Sequence, residues 1–243
     1  MISSGANALV MKEHNVHLVR RTLKEMHEAT KHQIAEAAGL STVTVATILQ
    51  RLIDEQAVFE VGMAASTGGR PAQLYRFNAN HAHVLVLFTH EQDGQDMLHV
   101  RVANLYGECV YTREAPLAAI TLTAFEPYID AALQAHSTIR ALGFGLPGIE
   151  LDGQVVGGDY PALTGTGFTA HYQARYQLPV IVENDVNAAC VGYCTRHGIQ
   201  SPAAALYLYF PQKYPPGGGI VIDGRLYKGW THYAGEVSGM PLG

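Results

Sequence analysis

No apolar run in this sequence approaches the ~18 residues that a membrane-spanning helix needs, so nothing in it is expected to cross a bilayer. The start, Met1-Ile-Ser-Ser-Gly-Ala-Asn7, has neither the basic residues nor the apolar stretch of a signal peptide. Cysteine is scarce. Three residues, an odd number, do not suggest a disulfide framework, and a cytoplasmic protein is the simplest reading. Cys190 and Cys194 stand four apart with no histidine or further cysteine at metal spacing, so they read as small buried residues. The 12 histidines also lack ligand spacing, and no metal or other cofactor is expected. Repeats and low-complexity segments are absent. Charge is thin, at 15% of residues against 48% hydrophobic, which describes a globular chain and excludes a disordered one. No segment is strongly basic. Residues 1–80 carry 8 Lys and Arg against 7 Asp and Glu, whereas residues 81–243 carry 8 against 14. Only the first part is a plausible polyanion partner, and its slight excess implies that DNA would be held by two copies, a homodimer.

What is present begins with residues 30–53. Two short helices fit there, broken at Gly39, which supplies the left-handed residue of a tight turn. Ile34, Ala35 and Ala38 line one face of the first helix. Leu40, Val45, Leu49 and Leu52 give the second a buried face, and Ser41 is placed to cap it. This is a helix-turn-helix pattern, whose second helix would enter a DNA major groove. Its outward residues, Thr42, Val43, Thr44, Ala46, Thr47 and Gln50, are small and uncharged, and Arg51 after them is also expected to contact DNA. Thr and Gln hydrogen-bond base edges or phosphates, and Val43 or Ala46 suits a thymine methyl. An ordinary helical hairpin with a small-residue surface is the alternative.

Residues 16–27 read as a preceding helix. Its Arg20, Arg21 and Lys24 either reach phosphates or form a solvated face. Residues 57–62 and 73–77 read as paired strands, and the Gly-rich tip between them reads as a wing. Arg70 at that tip either reaches phosphate or a narrow minor groove, or braces the turn. A domain boundary is expected near residue 80.

Beyond it, strands at 84–88, 98–103 and 108–111 form a meander, followed by a helix at 123–136 and a strand at 138–145. Gly143-Phe-Gly-Leu-Pro-Gly148 matches a dinucleotide fingerprint by letter. The chain then enters a hairpin on Asp152-Gly153, however, and not the helix that motif needs. A strand at 178–182 leads into Glu183-Asn-Asp-Val-Asn187 and then a helix at 188–196. A polar cluster at such a junction is a common ligand site. Asp185 lies where the helix dipole favours its ionised form, and it either grips a polyhydroxyl ligand beside Asn184 or only caps the helix. Strands at 204–210 and 219–222 flank a Pro- and Gly-rich connection.

These pieces together resemble the ROK family (repressors, open reading frames and kinases). Ser66-Thr-Gly-Gly-Arg-Pro71 after the helix pair resembles the winged-helix half of its repressors. Gly143–Gly148, Leu178-Pro-Val-Ile-Val-Glu-Asn-Asp-Val-Asn187, Asp223-Gly-Arg-Leu-Tyr-Lys-Gly229 and Ala234-Gly-Glu-Val237 resemble its sugar-binding half. The resemblance implies an α/β chain: a winged helix-turn-helix over residues 1–80, then an actin-like, sugar-kinase-type domain over 81–243 that reads as incomplete. It also implies that Asn184, Asp185 and Glu236 contact sugar hydroxyls. In family kinases the residue matching Asp185 is the catalytic base.

The departures favour a regulator over a kinase. Where the family has a first phosphate loop, Thr89-His-Glu-Gln-Asp-Gly-Gln-Asp96 carries three carboxylates that would repel a triphosphate. In the second, Pro215 and Pro216 remove backbone donors. Ser238-Gly239 replaces a Gly-His pair, and the zinc-binding cysteines expected downstream fall beyond the end of this sequence. The expectation is a DNA-binding repressor of carbohydrate-utilisation genes. It answers to a sugar or sugar-phosphate, acts on a double-stranded operator, and has no catalytic residue. The alternatives are an ATP-dependent sugar kinase with Asp185 as base, and a DNA-binding protein whose second domain only oligomerises.

Overall fold

The computed structural model describes residues 4–65, 71–199, 201 and 203–238. The chain divides into two compact units, Met1–His81 and Ala82–Gly243.

The first unit opens on α1 (Ser4–Met26), which starts well before the expected helix because no proline interrupts the residues ahead of Val16. Val16, Val19 and Leu23 bury one stripe of it. His27, at φ 62°, turns the chain into a short strand, β1 (Glu28–Thr30), that the sequence pattern did not reveal. Thr30 also caps α2 (Lys31–Ala38). Its side chain accepts from the Gln33 N–H, and Gln33 reaches back to the Thr30 N–H at 2.8 Å, a reciprocal capping box. Gly39 ends α2 at φ 64°, and Ser41 caps α3 (Thr42–Asp54) by accepting from Thr44 N–H at 3.1 Å. Val45, Ile48, Leu49 and Leu52 face inward. Leu40, expected in that row, is only half-buried because it belongs to the turn.

Strands β2 (Val58–Met63) and β3 (Gln73–Phe77) pair antiparallel, and β1 adds to the far side of β3. The wing tip, residues 66–70 with Arg70, lies outside the described residues. Ion pairs tie α3 to α1: Arg51 reaches Glu13 at 2.9 Å, and Arg20 reaches Glu55 at 3.5 Å.

The second unit is built on a five-stranded sheet. β4 (His83–Gln92), β5 (Gln95–Asn104) and β6 (Cys109–Pro116) form an antiparallel meander. After α4 (Glu126–Ala135), β7 (Ile139–Leu146) enters parallel to β4. A hairpin of β8 (Ile149–Leu151) and β9 (Gln154–Val156) turns at Asp152-Gly153, both with positive φ. Then α5 (Phe168–Tyr176) leads to β10 (Val180–Asn184), parallel to β7, and the strand order is β10-β7-β4-β5-β6.

Leu85 and Leu87 of β4, Leu142 and Phe144 of β7, and Ile129, Phe168 and Tyr172 of the helices share one core. Its aromatic centre is edge-to-face, with Phe144 and Phe168 centroids 4.9 Å apart. From β10 the chain passes directly into α6 (Asp185–Arg196), then β11 (Ala204–Tyr209), β12 (Gly217–Ile222) and β13 (Arg225–Leu226), a separate small sheet.

Two expectations change here. The segment 89–96 is not a loop: β4 and β5 run through it and reverse on Asp93 and Gly94, both left-handed, at φ 52° and 78°. Asp-Gly at the centre of a two-residue turn explains why. The glycines 217–219 belong to a strand, not to a connection. A Cβ on Gly219 would stand 2.7 Å from Cys190 Cβ and 2.8 Å from the Val186 carbonyl oxygen, so α6 packs on β12 only because side chains are missing there. Among the described residues no helix is long and apolar enough to cross a membrane.

Candidate functional site

Each unit presents one surface of interest. In the first it is the outer face of α3. Val43 is 75% exposed, so its apolar side chain stands at the surface of this helix face. Thr42, Thr47 and Gln50 are exposed beside it, and Thr44 is half-buried. Some of their polar atoms already have partners. Thr44 shares its hydroxyl with Ser41 at 2.9 Å, Thr47 donates to the Val43 carbonyl at 3.2 Å, and Gln50 donates to Asp54 at 2.9 Å. These bonds are local and solvent-exposed, hence easily exchanged. Arg51 differs. Its guanidinium is held by Glu13 and by Glu55, the latter at 2.8 Å, so it braces α3 against α1.

In the second unit the surface is a cleft of about 230 Å³. It lies at the carboxyl ends of the three parallel strands β10, β7 and β4, where helices and loops diverge and leave room. Asn184 and Asp185 come from the β10–α6 junction, and Glu236 comes from beyond β13. All three residues expected to contact sugar therefore line one cavity. The cap of α6 is Asn184, whose Oδ1 accepts from the Asn187 N–H at 3.0 Å, while its amide points at the Gly148 carbonyl at 3.4 Å. Asp185 is thus not the cap, and its carboxylate is left to line the cleft, with one oxygen accepting from Val186 N–H at 2.9 Å.

The dipole argument predicts an easily ionised Asp185. Instead burial pushes its pKa up to about 6, outweighing the Val186 N–H, and the nearby carboxylates of Asp159 and Glu236 add to the rise. Asp159 also titrates above its usual range, through burial and then the charges of Glu236 and Asp96. Sequence reasoning missed Asp159 and its neighbour Tyr160, whose phenol burial holds protonated. The available signal was Gly157-Gly158 just ahead of them. Gly148 packs against that pair so closely that a Cβ would lie 2.8 Å from the Gly157 carbonyl oxygen. This approach, together with φ 96°, explains the last glycine of the false fingerprint. Gly148→Ala is expected to cost about 2 kcal/mol, read as a fall of roughly 5 °C in melting temperature.

Acids dominate the cleft. Glu91, Asp159, Asp185 and Glu236 line it, and among the described residues no Lys or Arg does. The described residues also hold no cluster of His, Cys, Asp and Glu arranged for a metal ion. An acidic, partly apolar cavity of this kind accepts hydrogen bonds from hydroxyls and repels anions.

Comparison with known proteins fits this architecture. The chain is 26% identical over 242 residues to the xylose repressor of Caldicellulosiruptor bescii, covering 95% of this chain and 59% of that one, so it spans about three fifths of that relative's length. A shorter match, 32% over 98 residues, joins it to the N-acetyl-D-glucosamine kinase of Photobacterium profundum, covering 40% of this chain and 32% of the kinase. Among solved structures, a ROK family transcriptional regulator described as a homolog of the E. coli MLC protein superposes with a TM-score of 0.66 at 19% identity, over 90% of this chain and 57% of that one. The fold is accordingly the actin-like, sugar-kinase type with an added N-terminal unit. The ROK family model itself matches residues 94–242, more than half of the sequence, and the chain belongs to the ROK family.

Proposed function

We propose that the chain is a DNA-binding transcriptional repressor of carbohydrate-utilisation genes, released from its operator by a sugar. The observation that carries this reading is the pairing of two features in one chain. One is a capped helix with an exposed, uncharged face led by Val43. The other is a hydroxyl-accepting cleft around Asp185. In this reading residues 1–80 form a winged helix-turn-helix. Thr42, Val43, Thr44, Thr47 and Gln50 read the major groove, Arg70 reaches the backbone or minor groove, and Arg51 holds α3 in place. The domain after residue 80 senses the sugar through Asn184, Asp185 and Glu236. A homodimer sets two recognition helices about one DNA turn apart, so a small change between copies is enough to end tight binding.

The charge of the cleft narrows the effector. Four carboxylates, with no Lys or Arg lining the cleft among the described residues, favour a neutral sugar over a sugar-phosphate. The matched repressors are named for xylose, which makes that pentose the first ligand to try. The protein is proposed to work without kinase activity and in the cytoplasm.

The test is a gel-shift titration on promoter fragments flanking its own gene, at several salt concentrations, with xylose and a panel of neutral and phosphorylated sugars. The expected result is retardation that weakens steeply with salt and is relieved by a neutral sugar. Absence of retardation at low salt would remove the DNA role.

A further inference from the structure

Glu91 is a buried acid in a row of core residues. The inward side chains of β4 run His83, Leu85, Leu87, Thr89, Glu91. A carboxylate in such a position must be hydrogen-bonded, and this one is surrounded by backbone donors. One oxygen accepts from Gly94 N–H at 2.6 Å across the hairpin turn. The other accepts from Gln212 N–H at 2.8 Å, in the loop that follows β11. These N–H groups, with a smaller contribution from that of Lys213, hold the carboxyl below its ordinary range. The cation next to this cradle is taken as well. Lys213 Nζ lies 2.6 Å from Asp96, which also accepts from the Tyr214 hydroxyl at 2.8 Å. Convergent backbone N–H groups beside a lysine are the ordinary materials of a phosphate nest. Here both are satisfied by acids of the same chain, and one of those acids, Glu91, lines the cleft together with Asp185.

We propose that Glu91 is a built-in anion: its carboxylate fills a phosphate-binding nest formed by the N–H groups of residues 94 and 212 beside Lys213 and so closes that nest to phosphate-bearing ligands. The loop after β11 is then held to the β4–β5 hairpin by the contacts an outside phosphate would make. The nest rests on the sugar reading only in sharing that cleft, which it leaves open to a neutral sugar alone.

The experiment is calorimetric titration of inorganic pyrophosphate into the whole chain, as wild type, Glu91→Ala and Glu91→Gln, without sugar or DNA present. The wild type should stay silent at millimolar concentration. Glu91→Ala should bind at least about tenfold more tightly than wild type. Glu91→Gln, which keeps the side chain's length and loses its charge, should gain in the same direction by less, and it decides the matter if the alanine variant does not fold. Wild type that already binds pyrophosphate as tightly as the variants would overturn the proposal, as would folded variants that bind no better than wild type. Either result leaves the sugar reading standing, since no sugar enters the measurement. A chain deaf to every sugar would still show the gain if the nest is real.

Discussion

Val43→Glu is expected to abolish operator retardation while leaving the melting temperature within about 1 °C of wild type. The side chain is 75% exposed, so its replacement opens no cavity and buries no charge. Its position, second in α3, is where a carboxylate suits the helix dipole, so the helix itself should not suffer. What changes is the surface offered to a polyanion. An apolar contact suited to a thymine methyl is lost, and a negative charge is set against phosphates. A lost base contact costs about 1–3 kcal/mol, and with repulsion added, affinity should fall by about two orders of magnitude. The measurement is a gel shift at low salt alongside a melting curve. Retained DNA affinity in the folded variant would move the reading surface away from α3. Loss of both affinity and stability would make Val43 a packing residue, contrary to its exposure.

Local rules made most of this architecture legible in the sequence. Gly39, Ser41 and the Val45, Leu49, Leu52 row specify a turn, a cap and a buried face, and each is found in the role its chemistry dictates. Asp152-Gly153 and Asp223-Gly224 are likewise turns because both residues accept positive φ. What was hidden depends on distant partners. β1 is three residues long and exists only because β3 offers it an edge. The run Gly217–Gly219 looks like a flexible connection until α6 is laid against it. Glu91 and Asp96 read from the sequence as charges that would repel a triphosphate, yet each has a partner, 121 and 117 residues away respectively. In the cleft, Asn184, Asp185 and Glu236 were found by motif, but Asp159 was not: its one local sign, Gly157-Gly158, marks a close backbone approach and carries no spacing that points to a ligand. The ionisation of Asp185 was misjudged for the same reason. A helix terminus is visible in one segment of sequence, while the burial that overrides it is supplied by several.

Asp185→Asn should give the second large effect: a repressor that binds its operator normally and no longer answers to sugar. A carboxylate accepting hydroxyls makes charge-assisted bonds worth about 1.5–3 kcal/mol each, so effector affinity should drop by about a hundredfold. Stability should move the other way. Burial and the charges of Asp159 and Glu236 disfavour the ionised form, raising the folded pKa to about 6. Above its unfolded pKa this group therefore costs the fold stability. The stability it contributes is full below the usual aspartate value and is lost as pH rises through about 6. Asparagine carries no charge to bury, so at pH 7 the variant should melt slightly above wild type, and the gap should close toward pH 4. Sugar affinity of the wild type follows the ionised form and should rise as pH passes through about 6, a dependence the variant lacks. Calorimetric sugar titrations and melting curves at pH 5 and pH 7.5 read both effects. An Asp185→Asn variant that is less stable than wild type at pH 7.5, or that is still released by the effector, would show that this carboxylate is a structural group and not the one that grips the sugar.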